Sequence, residues 1–239
     1  PRAIYGLVGE EMQVAPDLAS VTWRIHPKAR FSNGDPVTAA DLVHSFRQIT
    51  SPQASPEFTV GFAGIARAVA VDARTVRYEL KEPGLDAVFA TAELPVFSAK
   101  WGEGRKLDEI VTDMPIATGP YVVDKYQMPR RLELKRRDDY WAKDLPVRRG
   151  FFNFDRIVYR MYKDQDVRRE GFKGGEFDLY KEYRASQWVR AHRGPKWEDG
   201  RIAKQTYTIQ TGSMPQSLNL NLRRPKFQDI RVREAIIRA

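Results

Sequence analysis

The chain has 239 residues, enough to bury a sizeable core as one large or two modest domains. Hydrophobic residues make up 42% and charged residues 30%, without low-complexity tracts, heptad runs or long apolar windows, which excludes a disordered chain, a coiled coil and a membrane-spanning helix. Cysteine is absent, removing disulfides, thiolate metal sites and cysteine nucleophiles, while 40 Lys and Arg against 31 Asp and Glu leave a net charge of +9.

The first residues, Pro1-Arg-Ala-Ile-Tyr-Gly6, lack the apolar core of a signal peptide and an initiating Met, so a processed precursor or an excised piece is expected. Leu7 to Val14 and Val21 to Ile25 alternate apolar and polar residues about an Ala15-Pro16-Asp17 break and predict a hairpin, with Val21, Trp23 and Ile25 on one face. Trp23 reads as a core anchor.

The most explicit stretch follows, Phe31-Ser-Asn-Gly-Asp-Pro-Val-Thr-Ala-Ala-Asp-Leu-Val-His-Ser-Phe46. Asn33-Gly34-Asp35-Pro36 signals a tight turn, because Asn and Gly tolerate positive φ and Pro36 biases Asp35 away from the α region. A helix should begin after Val37. Thr38 three residues before Asp41 suits a capping box, Val37 and Leu42 fall at staple positions, and Leu42, Val43, Phe46 and Ile49 continue the apolar stripe to a stop near Thr50.

Ser51 to Pro56 reads as a loop, and the glycine-interrupted run Phe58 to Ala68 supports either state. Ala68 to Val71, Asp72 to Arg74 and Thr75 to Leu80 predict strand, turn and strand, with Val76, Tyr78 and Leu80 inward. A short helix is expected over Leu85 to Leu94. Apolar content falls from Ala99 to Asp113, which places a lobe boundary near residue 112.

Thr118 to Val123 and Arg131 to Lys135 predict antiparallel strands about Gln127 to Arg130, and Asp138-Asp139 a solvated turn. Ile157 to Tyr162, Gln165 to Phe172 and Glu176 to Tyr180 read as strand, helix, strand, which predicts a parallel pair. Gly174-Gly175 lies after the helix, as a C-cap does, whereas a phosphate cradle places glycine before it. Trp188 to Asp199 reads as an exposed loop. Thr206 to Ile209 and Gln216 to Leu222 are expected strands, and Gln228 to Ile237 an amphipathic helix.

Three motif-level observations narrow the chemistry. Basic pairs such as Arg136-Arg137 and Arg168-Arg169 are scattered among carboxylates, without an aromatic ribonucleoprotein motif or zinc finger, so nucleic acid is not an expected partner. His26, His44 and His192 show no metal-ligand spacing, and Ser213 and Ser217 lack a nucleophile-elbow context, so neither a metal, a cofactor nor a catalytic site is expected.

The third is a resemblance. Phe31 to Phe46 resembles a signature of the peptide- and nickel-type solute-binding proteins of ABC importers. Val71-Asp-Ala-Arg-Thr-Val-Arg-Tyr-Glu-Leu-Lys-Glu-Pro83, Thr118-Gly-Pro-Tyr121, Arg137-Asp-Asp-Tyr-Trp141, Phe172-Lys-Gly-Gly-Glu-Phe-Asp178 and Arg224 to Ala235 are similar to further segments of that family, with Ala117 replacing a family glycine. Trp141-Ala-Lys-Asp-Leu-Pro-Val-Arg-Arg-Gly150 with Phe152-Asn-Phe-Asp-Arg156 resembles the oligopeptide-binding subgroup that includes the microcin C importer component.

The resemblance implies a mixed α/β fold of the periplasmic binding protein type, three-lobed in the family and truncated here. Residues 1–112 match the smaller supporting lobe and 113–239 part of the first ligand-binding lobe, with the third lobe absent. It implies a monomeric periplasmic protein that captures peptides or similar small solutes for membrane permease subunits and does no catalysis. Nickel complexes, murein peptides and opines stay open as cargo, and a protein-interaction module or an enzyme domain is the alternative. By the resemblance Asn221 lines the cleft. Asn219, two residues earlier, would face the same side of the expected strand. Both also suit the surface of an edge strand.

Overall fold

The computed structural model describes residues 3–102, 104–208 and 218–238. The chain divides into two compact units, Pro1–Arg168 and Arg169–Ala239. The lobe boundary expected near residue 112 falls inside the first unit, in a connecting segment that carries the short 3-10 turn Leu107–Glu109.

Strands β1 (Gly9–Val14), β2 (Ser20–Ile25), β3 (Ile65–Ala70) and β4 (Thr75–Leu80) form an antiparallel sheet in the order β1-β2-β4-β3. The alternation seen in sequence is the alternation of burial. Val21 pairs with Tyr78 and Trp23 with Val76, and these four residues, with Ile25 and Leu80, form the buried face. Helix α1 (Ala39–Ile49) closes that face with Leu42, Val43, Phe46 and Ile49, and the Phe46 ring meets the Tyr78 ring edge-on at 6.2 Å. A shorter helix, α3 (Leu85–Glu93), packs against β2, β3 and β4, while α2 (Pro56–Gly61) is largely exposed, so the ambiguous run from Phe58 divides between α2 and β3.

The Asn33–Pro36 turn forms as its residues require. Gly34 takes φ 88°, Asn33 Nδ2 donates to Asp35 Oδ2 at 2.7 Å, and the Phe31 N–H donates to the Asp35 carbonyl at 2.9 Å. The capping box also forms. The Thr38 N–H donates to Asp41 Oδ2 at 2.9 Å, and the Thr38 hydroxyl lies 2.6 Å from the same oxygen. Asp41 does more than cap, since its other oxygen accepts the Ala99 N–H at 3.0 Å and the residue is buried.

The buried Trp23 indole donates to Thr91 Oγ1 at 2.9 Å, and that hydroxyl donates to the Val88 carbonyl of α3. Thr91→Val keeps the shape but strands the indole N–H. A loss of about 1–2 kcal/mol is expected in urea denaturation, and an unchanged midpoint would show the bond to be dispensable.

A second antiparallel sheet, β5 (Tyr121–Gln127), β6 (Arg131–Arg136) and β7 (Arg156–Arg160), lies in the same unit. Arg137, just past β6, is its tie to the opening turn. Its guanidinium is buried, chelates the Asp139 carboxylate at 3.0 and 3.1 Å, and donates to the Phe31 carbonyl at 3.1 Å and the Gly119 carbonyl at 3.3 Å.

Helix α4 (Gln165–Gly174) follows, with α5 (Ala185–Arg190), α6 (Pro195–Glu198), α7 (Pro225–Gln228) and α8 (Ile230–Arg238) in the second unit. Several expectations fail here. The parallel strand-helix-strand unit does not form: β7 pairs antiparallel with β6, and Glu176 to Tyr180 is not a strand. Gly175 at φ 82° ends α4 by donating to the Phe172 carbonyl while Glu176 N–H donates to that of Gly171, so the chain doubles back onto the helix end. The stretch expected as a loop, Trp188 to Asp199, contains the end of α5 and all of α6, with His192 buried and Trp188 and Trp197 half-buried.

Thr206 to Thr208 and Leu218 to Leu222 are not strands; Ile209, Gln216 and Ser217 lie outside the described residues. The last expected helix forms as α8, starting at Ile230, and a separate short helix, α7, ends at Gln228 just before it. Asp229, extended at φ −71° and ψ 120°, separates the two and accepts the Arg231 N–H at 2.9 Å, starting α8 in the manner of an N-cap.

Candidate functional site

The second unit concentrates aromatic rings around one ionisable pair. The reversal at Gly175 brings Phe172, Phe177 and Tyr180 together, with ring centroids 5.5 to 6.3 Å apart. Helix α5 supplies Trp188 and α6 supplies Trp197. The turn between them carries His192, whose ring lies 5.4 Å from Tyr180 and 6.1 Å from each tryptophan.

Inside this cluster His192 Nε2 lies 3.2 Å from Glu182 Oε2, with the two side chains 5% and 1% exposed. A carboxylate offers only lone pairs, so Nε2 carries the proton and donates. Glu182 Oε1 accepts the N–H groups of Tyr183 at 3.0 Å and Arg184 at 2.9 Å. Burial alone would raise the Glu182 pKa. The Arg184 N–H, His192, the Tyr183 N–H and the Arg184 charge together outweigh it, and the carboxyl titrates below its ordinary value. The pair therefore stays ionised on the carboxylate side and braces the 182–192 segment.

A cleft of about 470 Å³ opens against these rings, with Leu179 and Tyr207 exposed on its lining and Arg201 and Lys204 adding positive charge. Lys204 Nζ sits 4.5 Å from the Trp188 ring centroid, and Arg201 chelates Asp199. The arrangement suits binding: apolar walls that a ligand's side chains can cover, held rigid by a satisfied polar pair. No group of three or more His, Asp or Glu side chains suited to a metal occurs among the described residues.

Asn219 and Asn221 are exposed and do not lie on a strand, so the alternation that put them on one side does not apply. Asn221 Oδ1 accepts the Arg223 N–H at 3.1 Å and its carbonyl accepts the Arg224 N–H at 3.0 Å, a turn that leads into α7.

The histidines are dispersed. His26 Nδ1 accepts the Lys28 N–H at 3.1 Å, and His44 packs edge-on against Phe97 with its pKa lowered by burial. Only His192 joins a constellation. Ser213 and Ser217 fall outside the described residues. Sequence reasoning missed Glu182 and the aromatic cluster, whose one signal was the density of Phe, Tyr and Trp from 172 to 197.

Three comparisons bear on the chain. The model of the bacterial extracellular solute-binding proteins, family 5 (middle), matches residues 3–239. A protein of Escherichia coli K12 named YejA, described as uncharacterised, is 36% identical over 236 residues, covering 99% of this chain and 39% of that protein. A probable peptide-binding protein YejA of Agrobacterium fabrum is 28% identical over 244 residues, with 98% and 39% covered. The chain thus spans about two fifths of these relatives' length. Among solved structures, the binding protein MoaA of A. tumefaciens R10 in complex with mannopinic acid superposes with a TM-score of 0.69 at 23% identity, covering 97% of this chain and 44% of that one. The fold is that of these binding proteins.

Proposed function

We propose, since the chain belongs to the bacterial extracellular solute-binding proteins of family 5, that the complete protein captures peptides in the periplasm and delivers them to the permease subunits of an ABC importer. The family is one of substrate-binding proteins, and no helix among the described residues is long and apolar enough to cross a membrane. The observation that carries the reading is the match over residues 3–239, joined by a relative described as probably peptide-binding. In this reading residues 1–112 are the supporting lobe, 113–239 belong to the first ligand-binding lobe, and the protein works as a monomer.

The chemistry is recognition. An extended peptide presents main-chain donors and acceptors at each residue and side chains on alternate sides. Asn219 and Asn221 address the main chain; Asn221, its Oδ1 already committed, offers its Nδ2 hydrogens to a peptide carbonyl. The aromatic cleft of the second unit receives apolar side chains.

The test is calorimetric titration of the complete protein with short peptides of mixed composition. Saturable binding is expected, and its absence across the set would overturn the reading. Asn221→Ala in that protein should weaken the dissociation constant by about 1–3 kcal/mol, the cost of leaving a buried peptide group unpaired. An unchanged constant would remove Asn221 from the site.

A further inference from the structure

A cavity of about 340 Å³ in the first unit shares no residue with the aromatic cleft and lies among β6, the Asp138–Tyr140 turn and the loop to Phe152. Four cations line it: Arg136, Arg137, Lys143 and Arg148. Two are already matched, Arg136 by Asp155 and Arg137 by Asp139. The other two are not. Among the described residues neither Lys143 nor Arg148 forms an ion pair with a carboxylate; Lys143 Nζ reaches only the Asp138 carbonyl, at 3.4 Å. Asp138 is the one carboxylate in the lining, and it is exposed.

Arg148 is the more telling of the pair. Its guanidinium carbon lies 5.7 Å from the centroid of the Phe152 ring, and its Nε is buried with no hydrogen-bond partner. A buried cationic donor without an acceptor is unfavourable, so the Arg148 guanidinium, which lines the cavity, favours an anionic partner. Tyr140 interacts with Arg148 through its hydroxyl, and burial raises its pKa, so the phenol stays protonated and able to donate. A guanidinium fork, an ammonium and a phenol line the cavity beside the Phe152 ring, and the one carboxylate among them, Asp138, is exposed and forms no ion pair with Lys143 or Arg148. That set suits a tetrahedral anion, whose several oxygens take a bidentate Arg contact and further donors at once, better than a single planar carboxylate.

We propose that this cavity binds a phosphate-type oxyanion, with Arg148 and Lys143 as its cationic partners and Tyr140 as a hydroxyl donor. Free phosphate or a phosphomonoester and a phospholipid headgroup share that chemistry.

The experiment titrates the complete protein with sodium phosphate at constant ionic strength, and in parallel sediments it with phosphatidylglycerol and phosphatidylcholine vesicles. Saturable phosphate binding with a dissociation constant on the order of 1 mM or tighter is expected. Arg148→Gln should weaken it about tenfold or more and Lys143→Gln several-fold, given the strength of charge-assisted bonds, with peptide affinity unchanged in both. Sedimentation with the anionic vesicles that Arg148→Gln abolishes, without binding of free phosphate, also supports the site and identifies the headgroup as its source. Lys143 is exposed, so its variant decides the matter if Arg148→Gln fails to fold. Phosphate and anionic vesicles that both fail to bind, or that bind the variants as tightly as the parent, overturn the proposal.

Discussion

Phe31→Ala is expected to destabilise the first unit by about 3–5 kcal/mol, the range for deleting a fully buried aromatic ring. The side chain is 1% exposed and belongs to the cluster formed by β2, β4 and α1. Its backbone is equally committed, because the Phe31 carbonyl accepts from both the Gly34 N–H and Arg137 Nη2. A ring-sized void at this point leaves packing unfilled and loosens the turn that delivers Thr38 to the helix start. Chemical denaturation followed by hydrogen exchange on β2 and β4 amides would measure the loss. Parent-like protection in the variant would show that the turn hydrogen bonds suffice without the ring.

The second large effect is expected at Glu182. Replacing it by alanine leaves the N–H groups of Tyr183 and Arg184 and the His192 Nε2 proton without their acceptor, a loss on the order of 3 kcal/mol. Glu182→Gln keeps one carbonyl acceptor and should cost about 1 kcal/mol, since the charge assistance is lost but a hydrogen bond is kept. The pH dependence has a fixed sign. The folded-state pKa of Glu182 lies below its ordinary value of 4.5, so the carboxylate's contribution is fully present above that value and fades as pH falls through the lower folded one. Glu182→Gln should lack this share of the acid-induced loss. Thermal melts of the complete protein at neutral pH and near pH 3.5 would check both effects; matching melts for parent and alanine variant at neutral pH would refute the bracing role.

Much of the first unit was legible because its information is local. Thr38 and Asp41 stand three residues apart, the alternation from Val76 to Leu80 spells out one inward face, and Gly34 sits where a positive φ is required. The second unit was not, and the reason is physical. Leu218-Asn-Leu-Asn-Leu222 has strand periodicity, yet Asn221 prefers to fold its own oxygen back onto Arg223 and start a turn. Trp188 to Asp199 is polar on average, but an average hides that its two tryptophans and one histidine point into the same cluster. The Glu182–His192 pair joins residues ten apart whose meeting depends on a helix and a turn between them. Asp229 carried a signal that periodicity overrode: a capping residue second in the expected helix, which places the start after it, at Ile230.

The Arg137 contact has a bearing on how such chains tolerate exchange of parts. What it grasps on the far side of the 99–113 stretch is a main-chain oxygen of Phe31, 106 positions earlier, and not a side chain. Any residue supplies that oxygen, so the grip asks for the path of the turn and is indifferent to its spelling. A hybrid joined in the 99–113 stretch, taking its front portion from a distant cousin, keeps the tie as long as the incoming turn holds its shape. The reverse exchange, a rear portion without the arginine, loses it. What this contact demands of the two portions is thus lopsided, one guanidinium on one side and bare geometry on the other.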